Sequence, residues 1–282
     1  MRRSLQPHLA AVLAARRAPS EAELTEALYQ RWFIDWRPPS DLTAQASGDD
    51  RFVAELGRRA GEDTWLAPGW RVTSRAGPMA FVSDDLVQLY VDAHQALSPR
   101  DPKVGATVAL RLPCARACAT PGFFLLVSQL GRAPAVHDKL YLHLTSAGGR
   151  AVIGRLRALA ARFEVKVANA PEAYGRRDSG VVYVDPAHRD RVVRALRPLA
   201  AQPKLFNARV PPMTRRLGRG LALAEPDLVD GERPGSFGEE RCRLVARALL
   251  RSRAGAGALE PYLSETFREA GVEPDAPWQR SR

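Results

Sequence analysis

Lys139-Leu140-Tyr141-Leu142-His143-Leu144-Thr145 alternates polar and apolar residues with a strict period of two. Successive side chains leave a strand on opposite faces, so the stretch predicts a half-buried β-strand. Leu140, Leu142 and Leu144 face the core, and Lys139, Tyr141, His143 and Thr145 share the other face. A merely solvated face would more naturally carry Glu, Gln or Ser. After a Gly-Gly turn, Ala151 to Phe163 predicts an amphipathic helix with Ile153, Leu156, Leu159 and Ala160 on one stripe. Phe163-Glu164-Val165-Lys166-Val167-Ala168-Asn169 is a second alternating strand, with Lys166 on its polar face. Two strands joined by such a helix make a β-α-β unit, which lets His143 and Lys166 meet over one sheet surface.

Upstream, His8 to Trp36 reads as helical, and Ser20-Glu21-Ala22-Glu23 resembles a capping box that opens a helix carrying Leu24, Leu28, Tyr29, Trp32 and Phe33. Arg37-Pro38-Pro39 stops it. A short helix over Asp50 to Gly61 follows. From Trp65 the chain turns to short β-rich runs, Phe123 to Val127 being the last, divided by Pro68-Gly69, Gly77-Pro78 and Pro121-Gly122. They predict a small antiparallel sheet completing an N-terminal lobe, residues 1–130, with Trp32, Trp36, Trp65 and Trp70 as core.

Residues 131–282 form the second lobe. After the β-α-β unit come a loop, a strand over Gly180 to Val184 and a helix from Pro186. Phe206 to Leu223 is Arg- and Gly-rich and reads as irregular. Ser236-Phe237-Gly238-Glu239 is a second capping box, starting a helix from Glu239 to Ser252, and a last helix spans Leu259 to Ala270. The fold class is α+β.

Hydrophobic residues at 45% and charged ones at 26% exclude a disordered chain. No apolar run approaches the ~20 residues a membrane helix needs, and Leu9 to Ala15 is too short for a signal peptide. A cytoplasmic protein without a membrane partner is expected. Cys114, Cys118 and Cys242 give no disulfide framework, and Cys114 with Cys118 lacks the matching second pair that structural zinc takes.

The net charge of +11 and pI near 10.3 favour an anionic partner. Only Lys103, Lys139, Lys166 and Lys204 among 42 basic residues are lysines. In a chain that has drifted so far towards arginine, a remaining lysine can be one whose amine must lose its proton, which a guanidinium does not do. Lys166 beside His143 is then a base and acid pair; the competing reading is a strand lysine whose ammonium reaches water. Arg241 lies at the edge of its helix's apolar stripe, close to the positive N-terminus, where it suits a phosphate or a buried ion pair with Glu225 or Asp178. Arg176, Arg177, Arg215 and Arg216 are loop cations able to grip phosphate bidentately. Walker, His-Glu-x-x-His and Gly-x-Ser-x-Gly motifs are missing. His8, His94, His137 and His188 lie in unpatterned contexts.

Phe163 to Asn169, Arg176-Arg177-Asp178 leading to Val181-Val182-Tyr183, Gly220 to Pro226, and Ser236-Phe237-Gly238-Glu239-Glu240-Arg241-Cys242-Arg243-Leu244 together resemble the HopA-type effector-like family. Members occur in actinobacterial clusters for class V lanthipeptides and thioamitides. Pro68-Gly69-Trp70-Arg71-Val72 and Pro121-Gly122-Phe123 extend the resemblance into the N-terminal half. It implies a lyase that acts after a separate Ser/Thr kinase, eliminating phosphate from a phosphorylated ribosomal precursor peptide to leave dehydroalanine or dehydrobutyrine, with a cyclase as a further partner. The family is distantly similar to bacterial effector phosphothreonine lyases, which implies Lys166 as base and His143 as acid. It places Arg177, Arg241, Arg215, Tyr183, Tyr141 and Lys139 on the phosphate. Where those effectors have lysine-x-histidine, this chain has Tyr141-x-His143. The implied chemistry needs no metal or organic cofactor. A non-catalytic precursor-peptide-binding subunit is the second reading, and a nucleic-acid binder, favoured by charge alone, is the third.

Overall fold

Ser20 opens the first helix, α1 (Glu21–Leu28), through both halves of the capping box: its hydroxyl accepts from the Glu23 amide and its own amide donates to the Glu23 carboxylate. The computed structural model describes residues 20–36, 48–85, 87–225, 236–255 and 258–279. The helix expected upstream of Ser20 and the stop at Arg37 lie outside these. Helix α1 runs into a π-helical turn, Tyr29–Phe33, that buries Trp32 and Phe33. Helix α2 (Asp50–Ala60) is capped by Asp49 and buries Phe52, Leu56 and Ala60.

The small sheet contains β1 (Thr64–Ala76), β2 (Met79–Ser83), β3 (Gln88–Asp92), β4 (Leu97–Ser98), which follows the short helix α3 (Ala93–Ala96), and β5 (Thr107–Pro113). They lie in the order β3-β2-β1-β5-β4, with a break in the β1–β5 register between Ala67 and Trp70, where Pro68-Gly69 intervenes. Trp32, Trp65 and Trp70 are buried, as their bulk predicts.

The large sheet takes β6 (Ala115–Thr120), β7 (Phe123–Val127), β8 (Asp138–Leu142), β9 (Phe163–Ala168), β10 (Gly180–Val184), β11 (Arg215–Gly218) and β12 (Leu221–Ala224), in the order β11-β12-β8-β10-β9-β7-β6. Phe123–Val127 therefore belongs to this sheet and not to the small one, because it pairs with β9 over its whole length. The β-α-β reading holds in a split form. Strand β10 is antiparallel to both β8 and β9 and lies between them, so the two alternating strands run parallel one strand apart.

Helix α4 (Ser146–Leu156) starts five residues earlier than the pattern predicts, and Gly148 and Gly149 lie within it. They are not a turn. A Cβ on Gly148 would overlap the Leu205 carbonyl oxygen, and one on Gly149 the Tyr174 hydroxyl, so close packing requires glycine there. Thr145 caps the helix by accepting from the Gly148 amide. The segment read as irregular after Phe206 holds the β11–β12 hairpin, closed at Gly220 with a φ of 57°. Helix α5 (Arg189–Ala200) precedes it. Helix α6 (Phe237–Ala254) has Ser236 at its N-cap without a side-chain cap hydrogen bond, and α7 (Leu259–Glu269) ends the described helices.

The result is an α+β fold in which helices cover both sides of the large sheet. Leu140, Leu142, Val165, Val167 and Val182 share one core with α2, α4, α5 and the small sheet. Tyr141 and Val181, on the other side, pack with Phe33 of the π-helical turn and Phe237 of α6. Strand β8 is consequently buried on both sides, not half-buried. Its polar face is roofed by helices some 100 residues away in either direction, which a period of two cannot reveal.

Candidate active site

Two rows of paired residues cross the roofed face of the large sheet. One is Lys139–Tyr183–Glu164–Val127 and the next is Tyr141–Val181–Lys166–Leu125. Paired residues in an antiparallel ladder project to the same side, so Lys139, Tyr141, Tyr183 and Lys166 share a face. His143, two residues beyond Tyr141, continues it. Strand spacings place its Cα roughly 12 Å from that of Lys166.

Lys139 and Lys166 converge on Tyr183, with their Nζ atoms 5.9 and 5.7 Å from the ring centroid. Lys166 also lies over Phe123, at 4.6 Å, and the Arg176 guanidinium sits 5.3 Å from the same ring. Asp178 accepts two hydrogen bonds from Arg176, at 2.5 and 2.9 Å, and half-buried Trp36 packs beneath it. The edge of His137 meets Tyr183, centroid to centroid 5.3 Å, while its Nδ1–H donates to the Pro134 carbonyl.

Lys139 is only 5% exposed. Burial pushes its amine down to about 8, and the positive Lys166 adds to this; Glu240 and Glu239 at the start of α6 pull the other way. An amine that titrates near neutrality on this face is a chemical resource, because only its neutral form accepts a proton.

At the far end, His143 is 8% exposed and its Nδ1–H donates to the Arg209 carbonyl at 3.0 Å, which leaves Nε2 for proton exchange. Burial lowers its pKa, and the charge on Arg177 adds to this, against opposition from backbone carbonyls and Asp35. Arg177 donates to the Asp35 carboxylate at 2.5 Å and the Trp32 carbonyl at 2.8 Å; Arg209 reaches the same carboxylate at 3.0 Å.

The remaining expected residues are distributed differently. Tyr141 is enclosed between Phe33 and Phe237, 5.7 and 6.3 Å away, and burial drives its pKa far up, so it holds its proton. Arg241 is 1% exposed, donates from Nε to the Pro277 carbonyl at 2.9 Å and lies over Phe237. Asp178 and Glu225 are engaged by Arg176 and Arg189 respectively. Arg215 pairs with Leu223, whose row includes Leu140, and so faces away from Lys166.

His137, Phe123 and Glu164 belong to the group around Lys166 although sequence reasoning gave them no role, and Arg176, read as a loop cation, joins them. His137 stands two residues before Lys139, so extending the alternation by one step would have found it. Among the described residues no cluster of His, Cys, Asp or Glu could hold a metal ion. Cys114 and Cys242 are buried free thiols. No helix of the described residues is long and apolar enough to cross a membrane.

Residues 114–279, more than half of the chain and the whole of this face apart from α1 and its π-helical turn, match the HopA1 effector protein family, and the chain belongs to that family. Two solved structures share its fold. The effector protein from Pseudomonas syringae pv. syringae strain 61 superposes with a TM-score of 0.57 at 22% identity, covering 100% of this chain and 97% of that one. The effector protein from Pseudomonas syringae pv. tomato strain DC3000 gives 0.56 at 19% identity, covering 99% and 97%. Curated protein sequences give no match.

Proposed function

We propose that the chain is a lyase that eliminates phosphate from phosphoserine or phosphothreonine in a peptide. The observation that carries this reading is the shared face of Lys166 and His143, with Lys139, Arg176 and Tyr183 grouped around the lysine. The Lys166 amine takes the Cα proton of the phosphorylated residue. The freed electron pair forms the Cα–Cβ double bond as the Cβ–O bond breaks. His143, as imidazolium, gives its proton to the departing bridging oxygen. Lys139 and Arg176 supply positive charge where negative charge grows on the leaving phosphate, which lowers the barrier more than it deepens ground-state binding. The ion pair with Asp178 holds the guanidinium in place.

A hydrolase would need a positioned water; a base and an acid disposed about one substrate side chain suit elimination. In this reading a separate Ser/Thr kinase supplies the phosphorylated precursor peptide, and a cyclase consumes the dehydroamino acid. The test is incubation with a phosphoserine peptide and mass spectrometry for loss of phosphoric acid, beside Lys166→Ala. Loss in the wild type alone supports the proposal. Binding without mass loss makes the chain a non-catalytic precursor-peptide-binding subunit.

A further inference from the structure

The small sheet and the edge of the large one enclose a cavity of about 600 Å³, lined by Trp65, Leu66 and Leu130 and by Arg116, Arg132 and Arg162, among others. Ligand clefts span roughly 300–1,000 Å³. Its apolar wall is open: Leu66 is 44% and Leu130 54% exposed. Burying such side chains is favourable, so exposed leucines at a cavity mark a place for a partner.

The polar groups narrow the partner's chemistry. Arg132 is held by Glu164 at 2.6 Å, whereas the guanidinium groups of Arg116 and Arg162 have no carboxylate partner among the described residues. Among the described residues, Asp84 is the one acidic residue in the lining. The vacant functions are thus cations, which ask for a carboxylate.

The cavity's lining takes in consecutive residues Trp65 to Pro68 of β1, and Val87 and Leu89, two apart at the start of β3. An extended chain presents side chains with that same spacing. The cavity also adjoins the lysine face, since Glu164, which holds Arg132, pairs in register with Tyr183.

We propose that this cavity is a docking groove for an extended peptide segment bearing a carboxylate between large apolar side chains. Arg116 and Arg162 meet the carboxylate, and Leu66 and Leu130 cover its apolar side chains. Resting on the lyase reading, the segment is a part of the substrate peptide remote from the phosphorylated residue.

A random-sequence peptide array is probed with the wild type and the R116E/R162E double variant, neither arginine being part of the catalytic group. Wild type is expected to retain sequences enriched in Asp or Glu beside Leu, Ile and Phe, and the double variant to bind them roughly tenfold more weakly or worse. Phosphate loss from a short phosphoserine peptide lacking acidic residues stays unchanged in the double variant. Retention indifferent to acidic residues, equal binding by the double variant, or stronger capture of oligouridylate than of any peptide overturns the groove. Acidic peptides bound by a wild type that releases no phosphate from any phosphopeptide leave the groove standing and remove the lyase.

Discussion

Lys139 and Lys166 hold their ammonium nitrogens 5.9 and 5.7 Å from the centroid of one ring, that of Tyr183. Nothing about folding requires two cations on one buried face, and the cost falls mainly on the more buried amine. Lys139→Met is therefore expected to stabilise the protein at pH 7, on the order of 1–3 kcal/mol, while lowering activity. The amine is pulled down to about 8 in the folded chain from an ordinary 10.5. Between those values the unfolded chain holds a proton that the folded chain has released, so wild-type stability rises with pH across that window. The advantage of the variant should shrink over the same window, as read by denaturant unfolding at several pH values.

General acid–base groups contribute about 10² to 10⁴ each. Lys166→Ala and His143→Ala are each expected to lose that much in kcat, with the circular dichroism spectrum unchanged. His137 packs against Tyr183, 5.3 Å between centroids, so His137→Ala provides the control. A modest effect there beside a large one at His143 fixes the acid; the reverse assigns the proton to the imidazole nearer Lys139.

Arg177 illustrates a cation held by structure. Its guanidinium ties Asp35 and the Trp32 carbonyl to the loop before β10. Arg177→Ala is expected to lower stability by about 2–4 kcal/mol, since it leaves the carbonyl and part of the carboxylate without their donor. Arg176→Ala should raise KM for the phosphopeptide more than Arg177→Ala does, because Arg176 lies over the Phe123 ring with Lys166.

Gly148→Ala would drive a methyl into the Leu205 carbonyl oxygen inside α4. A loss of about 1–3 kcal/mol is expected from overpacking, seen as a lower urea midpoint. Gly175→Ala, where a Cβ would meet nothing within 4 Å, serves as the neutral comparison.

Local patterns were legible where a residue's neighbours in sequence decide its place. The alternations at Lys139 and Phe163 are strands, and Ser20 with Glu23 caps a helix. Failures came where distant chain intrudes. Gly148-Gly149 looks like a turn until Leu205 and Tyr174 press against it. Strand β8 looks half-buried until Phe33 and Phe237 cover Tyr141 on its polar face. The candidate site was half legible for the same reason: alternation puts Lys139, Lys166 and His143 on one face, but only strand order brings Tyr183 between the lysines and turns Arg215 away.

The product mass from a phosphoserine peptide tests the central claim most directly. Elimination leaves a peptide lighter by one water than its unphosphorylated form, and a thiol then adds at the former phosphoserine. That product, absent with Lys166→Ala, is the expected result. A product equal in mass to the unphosphorylated peptide would mean hydrolysis and contradict the account, as would undiminished elimination by the variant.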